Sequence, residues 1–464
     1  MLSPVDWAAR VERTRQEVRV NQETGERTPG TQLPVTGQIR DSLYDLIPIS
    51  APERILIGSP AFLRLERIQQ LGFVSRVWPG ARHARFEHSI GVLHLTRLAL
   101  EHLRRSEAGA SISDQDANTL AAAALLHDIG HYPFSHAIEE LGPPVRTHES
   151  VGRSIILGDE VSELLEREWR VDPARVARFI YPGTEDLSPH DRMLRGLLSG
   201  ALDVDKLDYL SRDAAACRVP YGGVDYQRLI KSLQIADVAG TKRIVINEKG
   251  ISPLHSLINA RQEMFDNVYW HHTNRACMAM LLRAIQEGLI AGTITADALT
   301  AHDDASLLAF LAEPTMPEST RRLTASLRDR RIHKRAIEIS ARAGALFDRL
   351  GNLFFDPGER RSIERAMSVH LAGMTSELVP DDAILIDIPK PEKWRTDVWV
   401  TFEQPPVGFE PLMNWRDVVG LGDEDFKRYE EHRRMIRLVV ADPWRETVHR
   451  EWERLLYPAI GGLV

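Results

Sequence analysis

The stretch Leu120 to His136, LAAAALLHDIGHYPFSH, sets His127, Asp128, His131 and His136 within ten positions of one another, directly after seven Ala and Leu residues. Neutral imidazole nitrogen and carboxylate oxygen are the usual protein ligands of borderline and hard divalent cations. Imidazoles beside such an ion, with an unperturbed pKa of about 6.5, suit proton transfer near neutral pH. The chemistry indicated is a metal site with acid and base groups close by. Two adjacent residues cannot enclose an ion, so other ligands must come from elsewhere in the chain. His88 in HARFEHSIG and Asp205 in DVDKLDYLSRD are the candidates. Taken singly, His88 also suits a structural histidine bonded to a backbone carbonyl, and Asp203, Asp205 and Asp208 suit solvated charges.

The elements that must position these groups are mostly helical. A run of Ala and Leu with no polar face belongs inside, so the His127–Asp128 pair falls at the edge of the core, where polar groups need partners. Gly130 is expected to end that helix in a left-handed conformation. Two further His-Asp dipeptides, His190–Asp191 after LSP and His302–Asp303 in TAHDDASLL, read as helix starts whose carboxylates cap free backbone N–H groups. From about 60 to 300 apolar residues return every three or four positions, including the long HSLINARQEMFDNVYWHHTNRACMAMLLRAIQEG, so this part reads as helical. KRIVIN (242–247), AILIDIP (383–389) and DVWVTF (397–402) are rich in β-branched residues and read as short strands. The expected fold class is mainly α, with small β elements at the N-terminal arm and in the C-terminal part. Residues 1–40 are expected to form the arm, 41–300 the helical core, and 301–464 a mixed helical and strand region that completes the fold and supplies oligomer contacts. Within the last, the basic run RRLTASLRDRRIHKRAIEIS reads as a solvated helix face, with a polyanion-binding or subunit-contact surface as the alternative.

Composition narrows the function classes. With 464 residues, 43% hydrophobic and 27% charged, the chain has the profile of a soluble globular protein. No run approaches the roughly 20 apolar residues of a membrane span, and the N-terminus lacks the apolar core of a secretory signal. A net charge of −8 opposes non-specific attraction to phosphate backbones, so nucleic acid is not expected as the main ligand. Cys217 and Cys277 are too few for a disulfide framework or a thiolate zinc site, which fits a reducing, cytoplasmic setting.

Six stretches in order, RLERIQQLG, PGARHARFEHSIGV, LLHDIGHYPFSH, THES, DVDKLDYLSRD and RQEMFDNVYWHH, spread over roughly residues 60 to 275. In these the chain resembles the HD-domain phosphohydrolases, and among them the deoxynucleoside triphosphate triphosphohydrolase family. The resemblance implies one divalent metal ion (Mn, Fe, Mg, Zn or Co) on His88, His127, Asp128 and Asp205. It sets His131, His136 and His148 around the phosphates, with Glu149 beside His148 to orient it. Glu139 stands where relatives often carry Asp. Arg85, Lys206 and Arg261 match phosphate contacts, Tyr209 and Tyr269 pack on the deoxyribose, Asp213 takes a sugar hydroxyl, and Gln70 and Leu71 lie near base and sugar. Lys206, Tyr209 and Asp213 fall at i, i+3 and i+7 and so share one helix face.

The implied activity is hydrolysis of a (deoxy)nucleoside triphosphate at the α-phosphorus, releasing nucleoside and tripolyphosphate, in a homo-oligomer. The alternatives are an HD phosphatase or phosphodiesterase acting on a nucleoside monophosphate or another phosphoester, and a nucleotide-binding sensor or scaffold with little turnover. Two departures stand out. Trp270 occupies a pocket position where some relatives carry Gln. Gly58, Leu63 and Glu66 replace the polar and charged residues that bind an activating guanine nucleotide in one relative, and Glu66 would repel phosphate. Activation by GTP is therefore expected to be absent or altered.

Overall fold

The computed structural model describes residues 25–390 and 397–462, so residues 1–24 of the expected arm lie outside it. A hairpin comes first, β1 (Val35–Asp41) and β2 (Asp45–Ser50), paired antiparallel with Ile39 opposite Ile47 and Asp41 opposite Asp45. Ile47 and Ile49 are buried while Leu46 is exposed, the alternation that a half-buried strand requires. Asp41 holds the turn by accepting from the backbone N–H groups of Leu43 and Tyr44 at 2.8 and 3.1 Å.

Two helices carry the first core, α1 (Arg85–Arg104) and α2 (Asp114–Leu126). Ser113 caps α2 by accepting from Asp116 N, and the Asp116 carboxylate returns to Ser113 N, so two free donors at the helix start are satisfied. The predicted Ala/Leu segment of α2 is buried on every side. Alanine there keeps the neighbouring helices close. Gly130 departs from expectation, because its φ is not positive. A side chain at Gly130 would meet the His148 carbonyl oxygen at 2.1 Å and Gly152 N at 2.2 Å, so glycine is needed for the close approach of the next helix, α3 (His148–Ile156). A fourth helix, α4 (Val204–Cys217), starts on Asp203, whose carboxylate accepts from Lys206 N at 2.9 Å. It meets α1 at Gly91, where a Cβ would stand 1.9 Å from Asp208 Oδ1. These two glycines bring the site-bearing segments together.

Beyond α4 the chain adds β3 (Leu233–Val238), β4 (Thr241–Asn247), α5 (Ile251–Met264) and α6 (His272–Ile290). The long helical stretch of the sequence is therefore two helices. Between them residues 265–269 form a π-turn, and a break follows at Trp270 and His271, where the His271 side chain accepts from Thr273 N. Asn274 donates to the Tyr269 carbonyl at 2.9 Å, supplying a partner that the interrupted ladder lacks. Periodicity alone continues through the break because the apolar positions resume in phase.

The rest of the chain contains α7 (Asp304–Phe310), α8 (Glu318–Arg328), β5 (Lys334–Ile339), α9 (Pro357–Thr375), β6 (Ile384–Asp387), β7 (Trp399–Thr401), β8 (Leu412–Asn414), β9 (Ile436–Val440) and α10 (Arg445–Ala459). All three expected strands form, as β4, β6 and β7. The basic run divides into the amphipathic α8, which buries Leu323 and Leu327, and the strand β5. Strand order is β3-β4-β7-β8 in one sheet and β5-β9-β6 in another. A second apolar core joins α6 and α8 to Phe73 and Phe134, and so runs across residue 300; a third fills the space between the β5-β9-β6 sheet, α9 and α10. The fold is mainly α with small sheets. No helix among the described residues is long and apolar enough to cross a membrane.

Candidate active site

His88 lies in the first turns of α1, His127 and Asp128 directly follow α2, and Asp205 is in the first turn of α4. Their ligating atoms converge. His88 Nε2 stands 3.0 Å from Asp205 Oδ1 and 3.2 Å from His127 Nε2, and His127 Nε2 stands 3.6 Å from Asp205 Oδ1. Asp128 lies 3.5 Å from His88 and 3.4 Å from His127, and is also bridged to the Arg85 guanidinium. Burial disfavours the Asp128 charge, but Arg85 and then His127 and His131 outweigh it and hold the carboxyl well below its ordinary range.

The other ring nitrogens define the tautomers. His127 Nδ1 is 2.8 Å from the Ala124 carbonyl oxygen, which can only accept, and His88 Nδ1 is 2.8 Å from Asp208 Oδ2. A proton on each Nδ1 leaves both Nε2 lone pairs facing the same point. Without a cation there, burial works against a charge on His88, yet Asp205 and Asp208 overcome it and push its pKa up to about 10, so an ion would take the place of the proton that Nε2 otherwise shares with Asp205. Lone pairs and carboxylates turned on one another call for a cation between them, so this donor set fits a divalent ion. His88, His127 and Asp205 form one cluster whose ligand atoms all lie within 4.8 Å of each other.

Asp208 is the functional residue that reading the sequence missed. It is wholly buried, orients His88, and is itself held by Tyr44 Oη at 2.9 Å and by Arg212, which also reaches Asp41 at 2.8 Å. The hairpin tip thus supports the site from behind. The spacing of Asp205, Asp208 and Arg212, at i, i+3 and i+7, was a legible sign that Asp208 faces inward rather than into solvent.

Past the ligand cluster lies a second tier. Phe134 and Ser135 take left-handed φ values of 58° and 61°. Phe134 is held there by stacking on Phe73 at 4.4 Å and by donating its N–H to Asp304 at 2.7 Å. The chain then delivers His136 and Glu139 opposite His148, the first residue of α3. Glu139, not Glu149, orients His148: Glu139 Oε1 lies 2.6 Å from both His148 N and His148 Nδ1, whereas Glu149 is 3.6 Å away. Glu139 reaches His148 across the turn, while the neighbouring Glu149 carboxylate is the more exposed of the two. Burial opposes a charge on His148, but Glu139 prevails and raises its pKa to about 9. His131 packs beneath, its ring stacked 3.8 Å from that of His148. Complete burial, then Arg85 and His148, push the His131 pKa well down.

Both tiers open into a cavity of about 690 Å³ lined by Gln70, Leu71, Arg85, Lys206, Tyr209, Asp213, Arg261 and Tyr269, together with His88, His127, Asp128, His136, His148, Glu149 and Asp205. Of the expected site residues, His131 alone does not line it. Arg85 donates to Ser135 Oγ at 3.2 Å, Lys206 pairs with Asp203 at 2.6 Å, and Arg261 lies over the Phe265 ring at 5.3 Å. Asp213 is occupied by Tyr269 Oη and His83 Nε2, both at 2.7 Å. Trp270 forms part of the wall, with Asn274, Met278 and Phe354.

With this geometry the comparisons agree. Residues 85–213 match the HD domain, and residues 224–404 match the HD associated region. The chain thus carries an HD domain followed by an HD associated region, and all four converging residues fall inside the former. Among its relatives are the uncharacterized proteins MJ1154 of Methanocaldococcus jannaschii, 32% identical over 59% of this chain and 54% of that one, and YwfO of Bacillus subtilis, 34% identical over 50% of each. Deoxynucleoside triphosphate triphosphohydrolase SAMHD1 of Homo sapiens is 28% identical over 53% of this chain and 44% of its own. The chain spans about half the length of the curated relatives it matches. The crystal structure of a hypothetical protein from Aquifex aeolicus shares the fold, with a TM-score of 0.67 at 24% identity over 89% of this chain and 99% of that one.

Proposed function

We propose that the chain is a metal-dependent phosphohydrolase that cleaves (deoxy)nucleoside triphosphates at the α-phosphorus, giving nucleoside and tripolyphosphate. The HD domain and the His/Asp cluster support a metal-dependent hydrolase. The observation that carries the finer reading is the cavity itself: the converging ligands open into a space whose lining includes Arg85, Lys206 and Arg261 among six cationic side chains, two tyrosines, and His136 and His148.

His88, His127 and Asp205, with Asp128 beside them, would hold the ion. When bound, a divalent ion supplies Lewis acidity toward a phosphoryl oxygen and toward water. The chain's own groups then have separate tasks. Arg85, Lys206 and Arg261 are the cations for the phosphates, with Arg giving two-pronged contacts. His148, its Nδ1 engaged by Glu139, keeps a proton at neutral pH and can present Nε2 to the substrate, and His136 lies in the same tier. As the P–O5′ bond breaks, the water oxygen ends on the α-phosphorus, O5′ takes a proton from this histidine tier, and the proton that the water sheds restores the tier. His131 stays uncharged and supports His148 from below. Tyr209 and Tyr269 offer ring surface to the sugar.

The test is a panel of common ribo- and deoxynucleotides incubated with Mn- or Mg-loaded protein, with products separated by chromatography. Inorganic tripolyphosphate with nucleoside is the expected result. Orthophosphate as the sole inorganic product would replace this reading with a phosphatase acting on monophosphates, and binding without turnover would replace it with a nucleotide sensor. A homo-oligomeric state belongs to the same proposal and is measured by light scattering.

A further inference from the structure

His83 lies outside the cavity lining and has no part in the site derived above, yet it touches two of the cavity's walls. Its backbone oxygen accepts from Gln70 N at 2.9 Å, so it fixes the segment that ends in Gln70 and Leu71. Its side-chain Nε2 lies 2.7 Å from Asp213 Oδ1, and the other oxygen of that carboxylate receives the Tyr269 hydroxyl at 2.7 Å. Asp213 is 1% exposed, and the His83 side chain is 7% exposed.

A carboxylate so deeply buried needs its hydrogen bonds, because losing one leaves the full desolvation cost of the lone pair. A carboxylate oxygen accepts, so His83 donates from Nε2, and its Nδ1 is buried without a hydrogen-bond partner among the described residues. One edge of the imidazole is thus committed to Asp213. Tyr269, for its part, closes the π-turn at residues 265–269, where the backbone ladder is interrupted, so its ring direction depends on what holds the hydroxyl. What holds it is Asp213, and Asp213 is held in turn by His83.

We propose that His83 is a positioning residue: through Asp213 it sets the Tyr269 ring against the sugar end of the cavity, and it thereby controls discrimination between deoxyribose and ribose substrates. The inference rests on the nucleotide reading above. It also changes the role expected for Asp213, whose two oxygens are both engaged inside the protein rather than waiting for a sugar hydroxyl.

The experiment compares His83→Ala, His83→Asn and His83→Gln in the full chain loaded with Mn, measuring kcat and KM for matched deoxy- and ribonucleoside triphosphates and the thermal midpoint of each variant. Gln extends its amide nitrogen to the reach of Nε2, whereas Asn extends only to the reach of Nδ1. Loss of one hydrogen bond to a buried carboxylate predicts that Ala and Asn raise KM about tenfold and lower the preference for the deoxy substrate by about the same factor, with kcat within about threefold of wild type and Gln restoring both. If Ala and Asn keep the wild-type KM and sugar preference, or if Gln is as impaired as Ala, the positioning role is overturned while the nucleotide reading stands. A wild type that turns over no nucleotide overturns both. Should His83→Ala fail to fold, the Asn and Gln pair still decides the matter, since the two differ only in reach.

Discussion

His127–Asp128 and His302–Asp303 are the same dipeptide in two regions of one molecule, and their surroundings give them opposite tasks. After α2 the helix has ended and both side chains turn toward His88 and Asp205, in a setting where neighbouring carboxylates and bare imidazole nitrogens are concentrated. Before α7 the Asp303 carboxylate accepts from Ser306 N at 2.8 Å as a helix cap and pairs with Arg67 at 2.7 Å, and the His302 ring stacks on Phe310 at 4.8 Å. His190–Asp191 also lies at a helix start, but the expected capping role of its carboxylate falls to the Ser188 hydroxyl, which accepts from Asp191 N, while the Asp191 carboxylate pairs with Arg175 at 2.5 Å. The difference lies in whether local hydrogen bonds already satisfy the carboxylate. A capping Asp has its partners within three residues, whereas Asp128 must draw on Arg85 and on histidines from distant segments.

The largest contrast is expected on removing each dipeptide's histidine or its ligating partner. His127→Ala or Asp205→Ala should abolish stoichiometric metal binding and lower turnover by about a thousandfold or more, while His302→Ala should leave both unchanged. Elemental analysis of purified protein together with a tripolyphosphate assay reads this. Equal metal content in all three variants would break the comparison.

The next effect concerns the two glutamates beside His148. Glu139→Gln should lower turnover by about 10–100-fold, whereas Glu149→Gln should lower it by less than about threefold. The pH dependence gives the sharper readout. His148 is raised from 6.5 to about 9, chiefly by Glu139 acting against burial, so a reaction that needs its proton loses rate as pH rises through about 9. The stability contributed by this pairing has the same sign, present below about 6.5 and lost through about 9. In Glu139→Gln the alkaline limb of the kcat profile should move toward neutrality. An unmoved limb would take the proton-donor role away from His148.

A smaller effect is expected behind the ligands. Asp208→Asn keeps the shape but weakens the orientation of His88, and should reduce metal affinity by about 10–100-fold without removing the site. Titration with Mn while following bound metal measures it. The smallest is at the capping dipeptide, where Asp303→Ala should cost about 1 kcal/mol of stability and leave metal affinity intact, as read by denaturant unfolding and the same Mn titration.

Much of this was legible in the chain. Burial of the Ala/Leu helix, the cap at Asp303 and the short strands followed from local pattern, because caps, apolar runs and β-branched clusters act through neighbours in sequence; at the other pair the cap is Ser188 and not Asp191. Glu139 was visible as a carboxylate but not as the partner of His148, since Glu149 is adjacent in sequence while Glu139 is adjacent only after the left-handed turn at Phe134 and Ser135. The break between α5 and α6 was hidden for a related reason: the π-turn preserves the apolar spacing on either side of it.

Residue types and their order therefore determined the chemistry available to this protein: imidazoles, carboxylates and guanidinium groups in a helical body. Only the tertiary structure decided which of them meet. Gly91 leaves room for the Asp208 carboxylate and the Arg212 guanidinium, and Gly130 lets the backbone of His148 and Gly152 approach; these contacts, made between segments far apart in the chain, set Asp208 behind His88 and His148 beside Glu139. Hydrogen-bond partners are chosen by distance in space, and a local pattern carries no measure of it.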